Sequence, residues 1–240
     1  MDHRIEHEIE HGKFLSENDA GSIWNWASPA GMVRWKRRVE MLTMSIQPKD
    51  AVLELGCGVG YFTREIIKTG AFVTAIDISP DLLAIARKNI NYKNVSFYEE
   101  NAYQMAFPSE CFDSVIGSSV LHHLDIEKAL DEIYRVLKPG GDIAFTEPNM
   151  MNPQVALQLI SPWLRQRIGV SPDETAFYRW EIIKLLKKHG FKTVSVVPFD
   201  FLHPVVPKRL IKMVSFIGRI FERVHGVKEI AGSIYITAYK

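Results

Sequence analysis

Between residue 51 and about residue 147, short apolar runs alternate with segments of helical period. The runs AVLEL, AFVTAID, NVSFYEE, FDSVIGSS and GDIAFTEP are rich in β-branched and aromatic residues and predict strands. In DISPDLLAIARKNI, Ser79 can cap a helix, Pro80 suits its first turn and Asp81 suits the positive end of its dipole. In LDIEKALDEIYRVLKPGG, Ile126, Ala129, Leu130, Ile133, Val136 and Leu137 form one face, and Pro139-Gly140-Gly141 stops the helix. Strand and helix alternating through short links predict an α/β fold, a parallel sheet covered on both faces. Two further strands are expected, FKTVSVVPF at 191–199 and SIYITAYK at 233–240, with a helix in DETAFYRWEIIKLLKKHG before the first. At the N-terminus Met32, Trp35, Val39, Leu42 and Ile46 recur at three and four residues, an amphipathic helix. Residues 1–47 are therefore expected to form a helical cap on a domain spanning 48–240. No internal repeat is visible.

Composition narrows this picture. At 240 residues the chain can bury a full core as one domain, and 47% hydrophobic residues is ordinary for a soluble protein. A net charge of +1 gives no global pull toward nucleic acid. No apolar run approaches the roughly 20 residues of a membrane span. The opening MDHRIEHEIEHG is charged and does not resemble a secretory signal, so a cytoplasmic protein is expected. Cys57 and Cys111, the two cysteines, lack metal-ligand spacing and suggest no disulfide scaffold. His3, His7 and His11 could share one side of a helix, but interleaved Glu6, Glu8 and Glu10 favour a solvated charged helix over a metal site. The RWKRR cluster at 34–38 also reads as a solvated helix face, with Arg34 or Arg37 free to meet an anionic substrate.

The chemistry concentrates in VLELGCGVGYF, residues 52–62. Dinucleotide binders use G-x-G-x-x-G, whereas Gly56, Gly58 and Gly60 read G-x-G-x-G and Tyr61 stands at the third Rossmann position. No Lys-Ser or Lys-Thr follows, so this is not a P-loop. Glu54, a carboxylate in an apolar strand, would repel a pyrophosphate and favour a cation. Asp77, followed by Ile78, ends the second strand 21 residues after Gly56, where a carboxylate can accept both ribose hydroxyls of an adenosine. Adenosine plus a cationic amino-acid portion describes S-adenosylmethionine. Asn101-Ala102 ends the third strand, where a polar side chain can meet the adenine amino group, and Ser118 ends the fourth, beside the methionine half. Cys57 reads as a small packing residue of the loop, since no basic neighbour activates it.

With these residues in place, 51–147 resembles the core of the class I S-adenosylmethionine-dependent methyltransferases, of the group containing quinone-biosynthesis and many small-molecule enzymes. VLELGCGVG, AIDIS, NAYQMAFPSECFDSVIGSSVLHHL and RVLKPGGDIAFTEP resemble the family's successive motifs over about two fifths of the chain. The resemblance implies a Rossmann-like, doubly wound, seven-stranded sheet, mostly parallel with its last strand antiparallel, and S-adenosyl-L-homocysteine as product. It implies a donor site of Glu54, Gly56, Cys57, Gly58, Gly60, Asp77, Ile78, Asn101, Ala102 and Ser118. Asn101 departs from the Asp of many relatives, and its carbonyl can still accept from the adenine. His122 and His123 follow the fourth strand, where a general base would serve a hydroxyl or acidic-carbon acceptor. The resemblance points more to His123. The alternative is that one histidine packs and the other caps the helix begun near Asp125. Glu147 and Tyr61 are weaker candidates. Trp24 and Trp26 either wall the site or anchor the N-terminal helix.

Acceptor choice in this family usually comes from segments outside the core, here 1–47, 149–169 and 198–230. All are strongly apolar, which suits a small apolar or lipid-linked acceptor methylated on oxygen or carbon. The last carries a basic amphipathic helix at 208–225 that can cover a pocket, lie on a membrane or make a homodimer contact; the packed lid is favoured. Competing readings are a non-catalytic binder of the same cofactor and a nicotinamide-dependent oxidoreductase, the latter opposed by Tyr61 and Glu54.

Overall fold

The computed structural model describes residues 3–18, 20–23, 25–161, 163 and 173–240. Three helices come first, α1 (His3–Glu17), α2 (Ala20–Ile23) and α3 (Pro29–Leu42). The strands are β1 (Ala51–Leu55), β2 (Phe72–Asp77), β3 (Val95–Glu99), β4 (Phe112–Ser118), β5 (Leu137–Pro148), β6 (Lys192–Phe199) and β7 (Ser233–Tyr239). Between them run α4 (Thr63–Ile66), α5 (Pro80–Asn89), α6 (Ile126–Val136), α7 (Pro153–Ile160), α8 (Arg179–Lys188) and α9 (Ile211–Phe221). The strands form one sheet in the order β3-β2-β1-β4-β5-β7-β6. Pairs from β3 to β5 are parallel, and β7 runs antiparallel between β5 and β6. This is the doubly wound sheet with a reversed last strand that the sequence predicted.

Alternation along β1 divides the core. Leu53 and Leu55 enter one cluster with Leu130 and Ile133 of α6 and Ile182 and Leu186 of α8. Val52 enters the other, with Ile66, Ile67 and Leu83. The expected caps form as read: Ser79 Oγ accepts from Leu82 N and Pro80 opens α5. Because the chain winds away from β1 toward β2 and from β4 toward β5, the strand order switches between β1 and β4. A crevice opens there at the carboxyl ends of the strands.

Two readings of the N-terminal segment are corrected. Met32 of the predicted apolar stripe is exposed, while Arg38 of the supposedly solvated basic cluster is buried. Helix α3 turns this face inward because residues 200–233 bring an acceptor for each of its three arginines. Arg38 Nη1 and Arg34 Nε donate to Asp200 Oδ2 at 2.8 Å each, Arg38 Nη2 donates to Ser233 Oγ, and Arg37 forms a two-pronged pair with Glu222. Helix α1 likewise is not simply solvated. Gly12 lies so close to α5 that a Cβ there would sit 2.5 Å from the Cβ of Ser79. Helix α9 packs Ile211 and Val214 against Ala30 and Leu202, leaving Met213, Phe216 and Ile220 exposed. No helix among the described residues is long and apolar enough to cross a membrane.

Candidate active site

The glycine loop is held in shape from below. Gly56, Gly58 and Gly60 adopt φ of +61°, +53° and +86°, a region that disfavours other residues. A Cβ on Gly56 would lie 2.5 Å from Val120 Cγ2, so only glycine lets the β1 and β4 loops meet. Asp77 fastens the turn: Gly58 N donates to its Oδ2 at 2.8 Å and Ser79 N donates to its Oδ1 at 2.9 Å. Each oxygen keeps a second lone pair. Burial pushes the Asp77 carboxyl upward, against the pull of these two donors.

A cavity of about 500 Å³, within the range of small-molecule sites, opens beside this loop. Gly56, Cys57, Gly58, Asp77, Ile78, Asn101, Ala102, Ser118, His122 and His123 all line it, ten sequence-predicted positions brought together by the strand ends. Glu54 and Gly60 do not line it. A Cβ on Gly60 would lie 2.4 Å from Ile90 Cδ1, so this glycine permits close packing below the loop, the task a third Rossmann glycine performs. Glu54 lies buried in β1, and its Oε2 has no hydrogen-bond partner. Burial, helped by the Asp77 charge, pushes its carboxyl up to about 8. Asn101 spends one lone pair of its carbonyl on Tyr103 N. Ser118 Oγ pairs with Thr146 Oγ1. The Cys57 thiol is buried and pushed well up by that burial, as a packing role requires.

The two histidines part company here. His122 is buried, with Nδ1 2.6 Å from Glu147 Oε2 and Nε2 3.5 Å from Glu174 Oε1. Despite burial, those carboxylates raise it to about 9. Glu147 also accepts from Val120 N and Leu121 N, so it fixes the turn after β4 as well as the imidazole. His123 has Nδ1 3.1 Å from Glu8 Oε2, and its ring stacks on that of His11 at 6.2 Å between centroids. Neither histidine caps α6. Tyr61 and Trp26 line the cavity, Trp26 lying 5.4 Å from the Arg38 guanidinium carbon; Trp24 lies outside the described residues.

Sequence reading expected a cap from 1–47 but missed which residues form the roof. Arg4, Glu8, His11 and Gly12 of α1 line the cavity, as do Glu174 and Thr175. The row 4, 8, 11, 12, 15 runs down one side of a helix, and Gly12 inside it was the readable signal of a close approach. The contact of Glu174 with His122 bridges 52 residues and leaves no local pattern. Of the segments outside the core, α7 contributes Val155, Gln158 and Leu159 to the wall. No residue of 198–230 lines it; that segment buttresses α3 instead of forming a lid.

Residues 53–145 match the family model described as a methyltransferase domain. A demethylmenaquinone methyltransferase of Chlorobaculum parvum is 31% identical over 173 residues, 65% of this chain and 70% of that protein. One from Tropheryma whipplei is 35% identical over 176 residues, 66% of this chain and 73% of the relative. Among solved structures, the N-methyltransferase NodS of Bradyrhizobium japonicum with S-adenosylhomocysteine superposes with a TM-score of 0.65 at 17% identity, covering 98% of both chains. Phosphoethanolamine N-methyltransferase 2 of Haemonchus contortus with S-adenosylmethionine gives 0.67 at 18%, covering 96% of this chain and 60% of its own. At those identities the structural likeness is one of fold. The sequence relatives carry the assignment further: this chain belongs to the class I S-adenosylmethionine-dependent methyltransferases, with relatives in quinone biosynthesis, and its cofactor is S-adenosylmethionine.

Proposed function

We propose that the enzyme methylates a carbon or oxygen of a small organic acceptor with a substantial apolar part. The observation that carries this is the composition of the cavity wall beyond the strand ends: Ile5, Leu15, Ile23, Val155 and Leu159 supply an apolar surface from α1, α2 and α7. The names of the demethylmenaquinone relatives support a quinol-like ring as the acceptor class.

The residues present fit the cofactor. S-adenosylmethionine supplies an electrophilic methyl group on a sulfonium. Asp77 keeps two lone pairs for ribose hydroxyls, Gly56 and Gly58 allow close approach of the backbone, and Asn101 and Ala102 border the adenine position. The unpartnered oxygen of Glu54 behind the loop gives a cationic ligand an acidic backing. Among the acceptor-side groups His123 is favoured over His122, whose nitrogens both face carboxylates. Alignment of donor and acceptor in a cavity shielded by α1 is the main catalytic contribution.

Two expectations follow for the donor and acceptor halves. Without ligand, Glu54 is largely protonated at pH 7; a nearby cation lowers its pKa, so cofactor binding releases a fraction of a proton. Calorimetric binding heats at pH 7 should vary with the ionisation enthalpy of the buffer in the wild type and much less in Glu54→Gln. Equal buffer dependence in both removes Glu54 from this role. For the acceptor, methyl-labelled cofactor with an extract of the source cells should put label in the organic-extractable fraction. Label confined to water-soluble metabolites overturns the apolar acceptor, and no transfer with the cofactor bound favours a non-catalytic binder.

The exposed apolar face of α9, with Lys212 and Arg219 beside Phe216 and Ile220, supports peripheral attachment to anionic lipid. The protein should co-sediment with phosphatidylglycerol vesicles and Phe216→Glu should not; sedimentation as a dimer that the same substitution dissociates identifies the face as a subunit contact.

A further inference from the structure

Three groups from distant parts of the chain converge at the cavity wall. His122 and His123 come from the turn after β4, and Glu174 from the segment leading to α8. One ligand atom from each lies within 4.8 Å of the others. The orientation of His122 is informative. In the neutral tautomer that donates Nδ1–H to Glu147, Nε2 presents a lone pair toward the Glu174 carboxylate 3.5 Å away. A cation held between these two atoms would be bound by both.

We propose that His122, His123 and Glu174 form a site for a divalent transition-metal cation of the zinc type at the wall of the cavity. Two imidazoles and one carboxylate are a donor set that suits such ions, and three protein ligands leave one tetrahedral position open. Glu147 behind His122 is the outer carboxylate that fixes the tautomer and direction of a metal-binding histidine. Helix α1 brings a second carboxylate, Glu8, to 3.1 Å from Nδ1 of His123. All these residues except Glu147 line the cavity, so the open position is reachable from it. The expectation of no metal rested on cysteine spacing and on the row His3, His7 and His11; neither supplies this set, which only the folded chain assembles. The functional side rests on the methyltransferase reading: a cation here, in place of a free His123 base, would bind an acceptor oxygen and acidify its proton, bringing a nucleophile within reach near neutral pH.

The test is titration of the full-length, chelator-treated protein with Co²⁺. Binding of one equivalent with visible d–d absorption is expected. Glu174→Gln and His123→Asn should each weaken it at least tenfold with the far-ultraviolet circular dichroism unchanged, and Glu147→Gln should weaken it about 10- to 100-fold. No absorption band up to millimolar cobalt overturns the site. So does a band that the Glu174 and His123 substitutions leave intact, as binding at exposed His3 would give. Calorimetry with S-adenosylhomocysteine on the same preparations separates the two conclusions. Homocysteine-product binding without cobalt binding sinks the metal site alone; cobalt binding without product binding keeps the site and sinks the methyltransferase reading.

Discussion

Asp77→Ala should weaken binding of S-adenosylhomocysteine on the order of 100- to 1000-fold. The carboxylate has two tasks that fail together. Its oxygens hold the N–H groups of Gly58 and Ser79, which keeps the glycine loop in its left-handed conformation. Their remaining lone pairs are the acceptors proposed for the ribose. A hydrogen bond to a charged group contributes about 1.5–3 kcal/mol, so losing two at the lower end of that range costs about 3 kcal/mol, and each 1.4 kcal/mol is tenfold in affinity. Asp77→Asn keeps one oxygen acceptor and should lose only about tenfold, because one hydrogen bond of that strength survives. Calorimetry measures both; a dissociation constant for Asp77→Ala within twofold of wild type removes Asp77 from the site.

The second large effect is on stability. Asp200 takes Arg34 and Arg38 on one oxygen, and both Asp200 and Arg38 are almost wholly buried, at 3% and 4% side-chain exposure. Burial pushes the Asp200 carboxyl up, but the two guanidiniums outweigh it and hold the group below its ordinary range. Asp200→Asn keeps the backbone, which sits at φ +78° where Asn is tolerated, and removes only the charge. Two guanidiniums then face each other in a buried place. Breaking a buried pair costs about 3–5 kcal/mol, which in a chain of this size lowers Tm by about 10 °C. Adding Arg38→Met should recover part of the loss, since the two groups are coupled. The sign with pH follows. Because the folded pKa is depressed, this stabilisation is present above the unfolded value near 3.9 and fades as pH falls through the folded value. Asp200→Asn should therefore lose this part of the acid sensitivity along with the Tm. An unchanged Tm would mean that the pair is not needed to seat α3.

Both predictions concern residues whose legibility differed sharply. Asp77 was readable because its partner loop is local: 19 residues separate it from Gly58, and one βαβ unit fixes both. Asp200 was not, because its partners lie 162 and 166 residues away, with β1 to β6 between them. The reading of 34–38 as a solvated face followed from its basic residues flanking the apolar stripe and from the balanced global charge, and neither reveals whether a counter-charge arrives from elsewhere.

The same division runs through the whole molecule. By itself the sequence determined the strands and helices from 51 to 147, the reversal of the last strand through family resemblance, and most of the strand-end residues that line the cavity. Period, caps and the glycine loop are short-range properties, and a parallel sheet delivers strand ends to one edge wherever its strands begin. Tertiary structure alone decided which face of α1 roofs the cavity, that Gly60 and Glu54 lie behind the lining, and that 198–230 supports α3. It also decided that His122 is clasped by Glu147 and Glu174 while His123 meets Glu8 and His11. Those outcomes depend on packing between elements far apart in the chain, where many pairings satisfy the same hydrophobic pattern and only the folded geometry selects one.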